Sequence, residues 1–167
     1  MRKKEIIGEF GEAVIAQTMQ NLGYEVDRLD ADGIDLAAYS KDGKKYGISV
    51  KSRCIQEKTN DSINLTYNDL CYTYEQSLKR GLTPSYAFIV HKNDRIDIFI
   101  ATQEIVCKEY LDVTDIQGYI HTYQSRKDIG STKFFSTSLK SREKWGAITG
   151  EGIIYTATLS LISNMPD

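Results

Sequence analysis

Residues Gly33–Arg53, GIDLAAYSKDGKKYGISVKSR, have a pattern that is typical of two strands joined by a tight turn. Successive side chains of a strand point to opposite faces of a sheet. The alternation of apolar and polar residues predicts strands over Ile34–Tyr39 and Lys45–Lys51. The Lys-Asp-Gly sequence at 41–43 suits the turn between them, since Gly43 readily takes a positive φ.

The apolar residues of this hairpin also predict its register. Leu36 and Ile48 belong to the apolar faces of the two strands, and a three-residue loop keeps these faces on one side of the sheet. The same register places Asp35 opposite Ser49, with Lys51 two residues further along the same face. We expect these three polar side chains to share a face that is directed away from the core.

A polar face of this kind has two interpretations. In the simpler one, Asp35 and Lys51 form a cross-strand ion pair on the surface, worth less than about 1 kcal/mol. In the other, the face is a site for phosphodiester hydrolysis. An aspartate on a strand suits Mg²⁺, which prefers oxygen ligands and keeps several waters. A nearby lysine would orient the attacking water and offset charge in the transition state.

The remaining patterns predict a mixed sheet between helices, in an α/β or α+β arrangement. Apolar residues at helical spacing and Gly23 predict a first helix, and Thr66 and Asp69 have the spacing of a capping box. The predicted elements outside the hairpin are a helix over Lys3–Leu22, a strand over Tyr24–Leu29, a loop over 55–62, a helix within 66–81, two strands within 85–101, a helix over Gln103–Tyr110, a helix from Asp115 and a strand over Lys133–Ser136.

Length and composition favour one globular domain. Because the pattern weakens in the last third of the chain, we expect a core over residues 1–112 and a C-terminal extension over 113–167 packed on the same domain. The net charge of −2 argues against a non-specific nucleic-acid coat protein. No apolar run reaches the roughly 20 residues needed to span a bilayer, and no signal peptide is visible. The three cysteines form no metal-binding pattern, which is typical of reduced thiols in a cytoplasmic protein.

Three segments carry a resemblance to a known family: GEFGEAV at 8–14, GYEVDRLDADGIDLAAY at 23–39 and YGISVKSR at 46–53. Their order resembles the PD-(D/E)xK nuclease superfamily, nearest to its archaeal-type Holliday-junction resolvases and small bacterial restriction-endonuclease-like proteins. The resemblance implies a restriction-endonuclease-like mixed β-sheet flanked by helices. It also implies a DNA endonuclease that depends on Mg²⁺ or Mn²⁺, and a possible homodimer, because resolvase-like enzymes are commonly dimers.

The resemblance assigns a role to four residues of this chain. Glu12 would be the helical acid, Asp35 the strand acid and Lys51 the catalytic lysine, with Asp35 and Glu12 as the metal ligands. Ser49 falls on the position of the second acid, and Ile34 replaces the usual proline before the strand acid. The serine is the serious departure, because a neutral hydroxyl is a poorer Mg²⁺ ligand than a carboxylate.

Three readings of Ser49 stay open. Another acid supplies the missing charge, with Glu12 first and Glu9 second; weaker candidates are Asp32, Glu57 and Glu75. Alternatively, Ser49 binds the metal through a water and leaves a weakened but active site. In the third reading the chain keeps the fold without the chemistry and is a module that binds nucleic acid or a protein partner.

Basic residues outside the hairpin core suggest contacts to the DNA backbone. Arg53 continues the alternation beyond Lys51 and shares its face. Residues 121–145 form the most basic stretch of the chain, and it contains Lys127 and Lys133. We expect Arg53, Lys127 and Lys133 to contact phosphates.

Overall fold

The structure is a computed structural model that describes residues 2–54, 63–92, 94–123, 133–137, 145–148 and 150–160. Its elements, in chain order, are α1 (Lys3–Asn21), β1 (Glu25–Ala31), β2 (Ile34–Tyr39), β3 (Lys45–Cys54), β4 (Ile63–Thr66), α2 (Tyr67–Lys79), β5 (Thr83–His91), β6 (Arg95–Thr102), α3 (Gln103–Leu111), α4 (Ile116–Tyr123), β7 (Lys133–Thr137), a 3₁₀ turn (Trp145–Ala147) and β8 (Ile153–Ser160).

Six strands form one mixed sheet in the order β1-β2-β3-β5-β6-β8. Strands β3 and β5 run parallel, and α2 lies in the connection between them; every other neighbouring pair is antiparallel. Strands β4 and β7 form a separate antiparallel pair. The predicted α/β architecture with a mixed sheet flanked by helices is therefore confirmed.

The predicted register of the β2–β3 hairpin is also confirmed. Leu36 pairs with Ile48, which places Asp35 opposite Ser49. The turn closes with a backbone hydrogen bond of 3.2 Å between Gly43 N–H and the Ser40 carbonyl, and Gly43 has a φ of +91°. Glycine adopts this φ more readily than other residues. The Lys-Asp-Gly sequence therefore fixes both the length of the loop and the pairing of the two strands.

Both faces of the sheet are buried. Helix α1 covers one face, whose buried residues are Ile15, Met19, Leu36, Ala38, Ile48, Ala87, Ile89, Ile96, Ile98 and Ile100. Helix α3 and the β4–β7 pair lie on the other face, whose largest cluster contains Ile63, Leu65, Tyr86, Phe88, Val90, Phe99, Ala101, Val106 and Trp145. The near-continuous apolar runs of β5 and β6 follow from this two-sided burial.

Helix α2 covers the hairpin face that carries the polar residues, so the expectation that this face points away from the core is wrong. The approach is close because two glycines lie under the helix. A Cβ on Gly33 would come within 2.5 Å of the Tyr72 backbone, and a Cβ on Gly47 would overlap the side chain of Ser77. Thr73 adds a 2.8 Å hydrogen bond from its hydroxyl to the Gly33 carbonyl.

Helix α1 approaches the opposite face at Gly11. A Cβ at this position would overlap the Ser52 hydroxyl and lie 3.0 Å from Ser52 Cβ and 3.2 Å from Ile89 Cγ2. Gly8, on the same helix, has no neighbouring atom of the described residues within 4 Å of the equivalent position. The small residue at 11 therefore sets the distance between α1 and β3, and with it the position of Glu12.

The two glycines of α1 give opposite expected effects on stability. Gly8→Ala is expected to raise the free energy of unfolding by roughly 0.5–1 kcal/mol, because alanine favours the helix. Gly11→Ala is expected to lower the free energy of unfolding by about 1–3 kcal/mol, because Ser52 and Ile89 leave no room for a methyl group at this position. Urea unfolding of both variants tests this pair, and equal shifts in the same direction would contradict it.

The C-terminal segment matches its predictions in part. The predicted helices near residue 103 and after Asp115 correspond to α3 and α4, and the predicted strand near Lys133 corresponds to β7. Strand β8, which the sequence pattern did not predict, pairs with β6 and enters the main sheet. Among the described residues, no helix has the length and apolar character needed to cross a bilayer.

Candidate functional site

Asp35 is the best-positioned acid of the hairpin. It lies one residue beyond the Leu36–Ile48 pair, where the β2–β3 ladder ends, and its Oδ2 accepts a 2.7 Å hydrogen bond from the backbone N–H of Val50. Burial raises the pKa of Asp35; the Val50 N–H opposes this shift, and the Glu12 carboxylate adds to it. Lys51 and Arg28 lower the pKa by smaller amounts. Charges on three elements, α1, β1 and β3, therefore act on this carboxyl.

Ser49 is buried under the helices instead of open to solvent. Only 2% of its surface is exposed. On β3 it pairs with Tyr86, and Lys51 pairs with Phe88, and both aromatic partners belong to the cluster on the α3 side. Ser49 and Lys51 thus lie on the sheet face that α2 and α3 cover, and Ser49 is more deeply buried than Lys51.

Lys51 is held by an acid from α2. Its Nζ donates a 2.9 Å hydrogen bond to Asp69 Oδ1, with the two side chains 28% and 30% exposed. Asp69 Oδ2 accepts hydrogen bonds of 2.8 and 3.0 Å from the backbone N–H and hydroxyl of Thr66. Burial acts to raise the pKa of Asp69, but the Thr66 hydrogen bonds and the Lys51 ammonium outweigh it and hold this pKa below its usual value.

Glu12 is held by a different cation. Arg28 Nη2, on β1, donates a 2.6 Å hydrogen bond to Glu12 Oε2. The arginine side chain is 62% exposed and the glutamate 27%, so the pair lies at the solvent boundary. The Glu12 carboxylate raises the pKa of Arg28, and Glu9 contributes in the same direction. Glu12 belongs to α1, on the sheet face opposite to α2.

The structure brings together part of the predicted set. Asp35, Ser49 and Lys51 share one sheet face, and the charge of Glu12 acts on Asp35 from α1. The exposed Arg53 lies two residues beyond Lys51 at the end of β3.

The other two basic candidates differ in what the structure shows of them. Lys127 lies outside the described residues. Lys133 begins β7 and pairs with Thr66, the residue that holds Asp69. Within the described ranges, no group of three or more His, Cys, Asp or Glu side chains converges as a metal site.

Asp69 and Arg28 are the residues that sequence reasoning missed. Asp69 had a visible signal, because Thr66-x-x-Asp69 has capping-box spacing and both reciprocal hydrogen bonds are present. Its second contact, to Lys51, exists only because α2 folds onto the hairpin. Arg28 gave no local signal, since its partner Glu12 is 16 residues away on another element.

In comparisons with known proteins, no family model matches this chain and no curated protein matches it significantly. The functional conclusion therefore depends on the geometry of these side chains and on the motif resemblance.

The raised pKa of Asp35 predicts a stability effect with a definite sign. The folded state favours the protonated carboxyl, so the contribution of this group is fully present below pH about 3.8 and is lost as the pH rises through the folded-state pKa. Asp35→Asn mimics the neutral form and keeps an acceptor for the Val50 N–H. We expect it to raise the Tm at pH 7 by a few degrees.

The pH dependence distinguishes this effect from a general gain in stability. The difference in Tm between Asp35→Asn and the wild type should shrink between pH 7 and pH 4. Asp27→Asn, which changes an exposed acid on the neighbouring strand β1, serves as the matched control and should shift the Tm little. An Asp35→Asn protein less stable than the wild type at pH 7 would refute the expected sign.

Proposed function

We propose that this chain is a divalent-metal-dependent DNA endonuclease of the PD-(D/E)xK superfamily with a weakened site. The observation that supports it most directly is the hairpin register, which puts Asp35, Ser49 and Lys51 on one face. The carboxylate of Asp35 lies where the β2–β3 ladder ends, next to the charges of Glu12 and Lys51. An acid and a lysine in this relation suit phosphodiester hydrolysis.

The side chains fit Mg²⁺ or Mn²⁺ only if the ion takes most of its ligands from water and substrate. Mg²⁺ commonly uses one or two protein carboxylates together with phosphate oxygens. Oδ1 of Asp35 makes no hydrogen bond to the described residues, and Oδ2 is held by Val50. When bound, the ion would polarise the scissile phosphate and lower the pKa of the attacking water.

The residues of this chain would then have separate roles in the reaction. Asp35 and Glu12 would supply carboxylates, with Asp35 fixed in place by the Val50 N–H. Lys51, aligned by Asp69, would contact the phosphate and offset the charge that develops in the transition state. Arg53, at the exposed end of the same strand, would contact a neighbouring phosphate of the DNA.

Two carboxylates are candidates for the role of the second acid, whose position in the motif is occupied by Ser49. Glu12 is the acid that the motif favours, and its charge already acts on Asp35. Asp69 contacts Lys51 and lies on the same side of the sheet as Ser49. Glu12→Gln and Asp69→Asn separate them: the variant that raises the metal concentration needed for half-maximal cleavage identifies the acid that takes this role.

The direct test is cleavage of supercoiled plasmid, branched DNA and single-stranded DNA in Mg²⁺ or Mn²⁺. We expect nicked or linear products that disappear with EDTA and in Asp35→Asn. Cleavage that continues in EDTA, or in Asp35→Asn at the wild-type rate, would exclude the proposed chemistry.

A second candidate is a nuclease-fold module that binds nucleic acid or a protein partner without catalysis. The ion pairs favour it, because Glu12 is already neutralised by Arg28, and Lys51 by Asp69. This candidate predicts salt-sensitive DNA binding that needs no divalent metal and survives Asp35→Asn. The absence of cleavage together with such binding would select it over the endonuclease.

The cysteines bear on the proposed location. Cys54, Cys71 and Cys107 are all free thiols. Free thiols are typical of a reducing compartment, so we propose that the protein acts in the cytoplasm.

A further inference from the structure

A β-bulge in β1 lies directly opposite Asp35. The pairs that flank the bulge are Arg28–Leu36 and Ala31–Ile34. Between these pairs, two residues of β1 face one residue of β2, and that residue is Asp35. Bulges are common beside functional sites, where they change the direction of a side chain. Arg28, the last paired residue before the bulge, lies across from the residue that follows Asp35 in the chain.

Arg28 is the cation of an acidic cluster formed by Glu9, Glu12 and Asp35. Its Nη2 donates the 2.6 Å hydrogen bond to Glu12 Oε2. The hydrogen bond and the charge of Glu12 raise the pKa of Arg28, and the charges of Glu9 and Asp35 act in the same direction more weakly. One guanidinium thus interacts with three carboxylates, and two of them, on Glu12 and Asp35, are the proposed metal ligands.

We propose that Arg28 competes with the divalent cation for Glu12, so that metal binding displaces the guanidinium from this carboxylate. The inference deepens the proposed function and rests on it, because it concerns the same metal site. Two cations at one carboxylate repel each other, and the Glu12 oxygen that would bind the metal already accepts a hydrogen bond from Arg28. Arg28 therefore lowers the affinity of the site for Mg²⁺ or Mn²⁺.

The arginine can leave Glu12 without disturbing the fold. Its side chain is 62% exposed, and β1 lies at one end of the strand order of the described sheet, so water can solvate the released guanidinium. Ion pairs exposed to this degree are weak. A divalent cation, with twice the charge of the guanidinium, can therefore replace it at Glu12.

Binding of Mn²⁺ to the full chain, without DNA, tests the proposal. Electron paramagnetic resonance of the free ion gives the Kd. We expect Arg28→Gln to bind Mn²⁺ about three- to tenfold more tightly than the wild type, because the competing ion pair and its positive charge are gone. Arg28→Lys keeps the charge and should stay closer to the wild type. Arg80→Gln is the matched control: it removes an exposed arginine at the end of α2, where the partner is Gln76, and should change the Kd less than about twofold.

A double variant locates the effect, and the outcomes separate this proposal from the proposed function. Asp35→Asn added to Arg28→Gln should abolish the gain in Mn²⁺ affinity. Equal affinities of the wild type and Arg28→Gln, or a gain that persists with Asp35→Asn, would overturn the role of Arg28 and leave the endonuclease proposal intact. Tighter Mn²⁺ binding by Arg28→Gln in a protein that cleaves no DNA would support the role of Arg28 and contradict the endonuclease. If neither protein binds Mn²⁺, both proposals are wrong.

Discussion

Under the proposed endonuclease function, Lys51→Met is expected to lower the rate of DNA cleavage by roughly 10²–10⁴-fold, the range for removing a positioned group that acts in the transition state. The fold should persist. Lys51 and Asp69 are partly exposed, at 28% and 30%, so water reaches the pair and screens it, and we expect it to contribute only about 1 kcal/mol. Water can solvate the Asp69 carboxylate once its partner is gone, and the Thr66 hydrogen bonds still hold it.

The matched control is Lys45→Met, at the exposed start of the same strand. It removes the same charge from β3 at a distance from Asp35 and should change cleavage less than about threefold. Plasmid nicking in Mn²⁺, with initial rates normalised to folded protein, measures both variants. If the two substitutions reduce cleavage equally, Lys51 acts only through the net charge of the surface, and its proposed role is wrong.

Gly33→Ala is expected to cause the largest loss of stability among the glycine variants. Gly33 has a φ of +89°, where an alanine costs about 1–2 kcal/mol. Its Cβ would also lie 2.5 Å from the Tyr72 carbonyl carbon and 2.8 Å from the Thr73 nitrogen. Because these are backbone atoms, the helix must move, at a further cost of about 1–3 kcal/mol. The sum is a large fraction of the 5–15 kcal/mol typical of a folded domain.

Gly43→Ala isolates the backbone part of this cost. Gly43 has nearly the same φ, +91°, and in the part of the chain that the structure describes no neighbouring atom lies within 4 Å of the position of its missing Cβ. We expect a loss of about 1–2 kcal/mol for Gly43→Ala, clearly less than for Gly33→Ala. Urea unfolding gives both values, and equal losses would show that α2 does not press on Gly33 as described.

The hairpin was predictable because its signals are local. The alternation around Leu36 and Ile48 and the glycine at position 43 together allow one register, and the structure has that register. The extent of α1 was predictable for the same reason, since apolar spacing and Gly23 mark it. These signals lie within one or two neighbouring elements.

The covering of the polar face was not predictable in the same way. Alternation shows which side chains share a face, but not which element packs on it. The burial of Ser49 and the contact between Lys51 and Asp69 both depend on where α2 lies. β8 was missed because strand signals weaken in the C-terminal segment and its partner β6 lies far away in the sequence.

The hydrogen bond from the Val50 N–H to Asp35 makes this amide a natural spectroscopic reporter. The amide lies between Ser49 and Lys51 in the chain, and its proton is donated to the Asp35 carboxylate, which would bind the metal under the proposed function. Its ¹H chemical shift should therefore follow the ionisation of Asp35 during a pH titration. Addition of a divalent cation should move the same signal without any DNA present, so that one backbone resonance reads the state of the site independently of turnover.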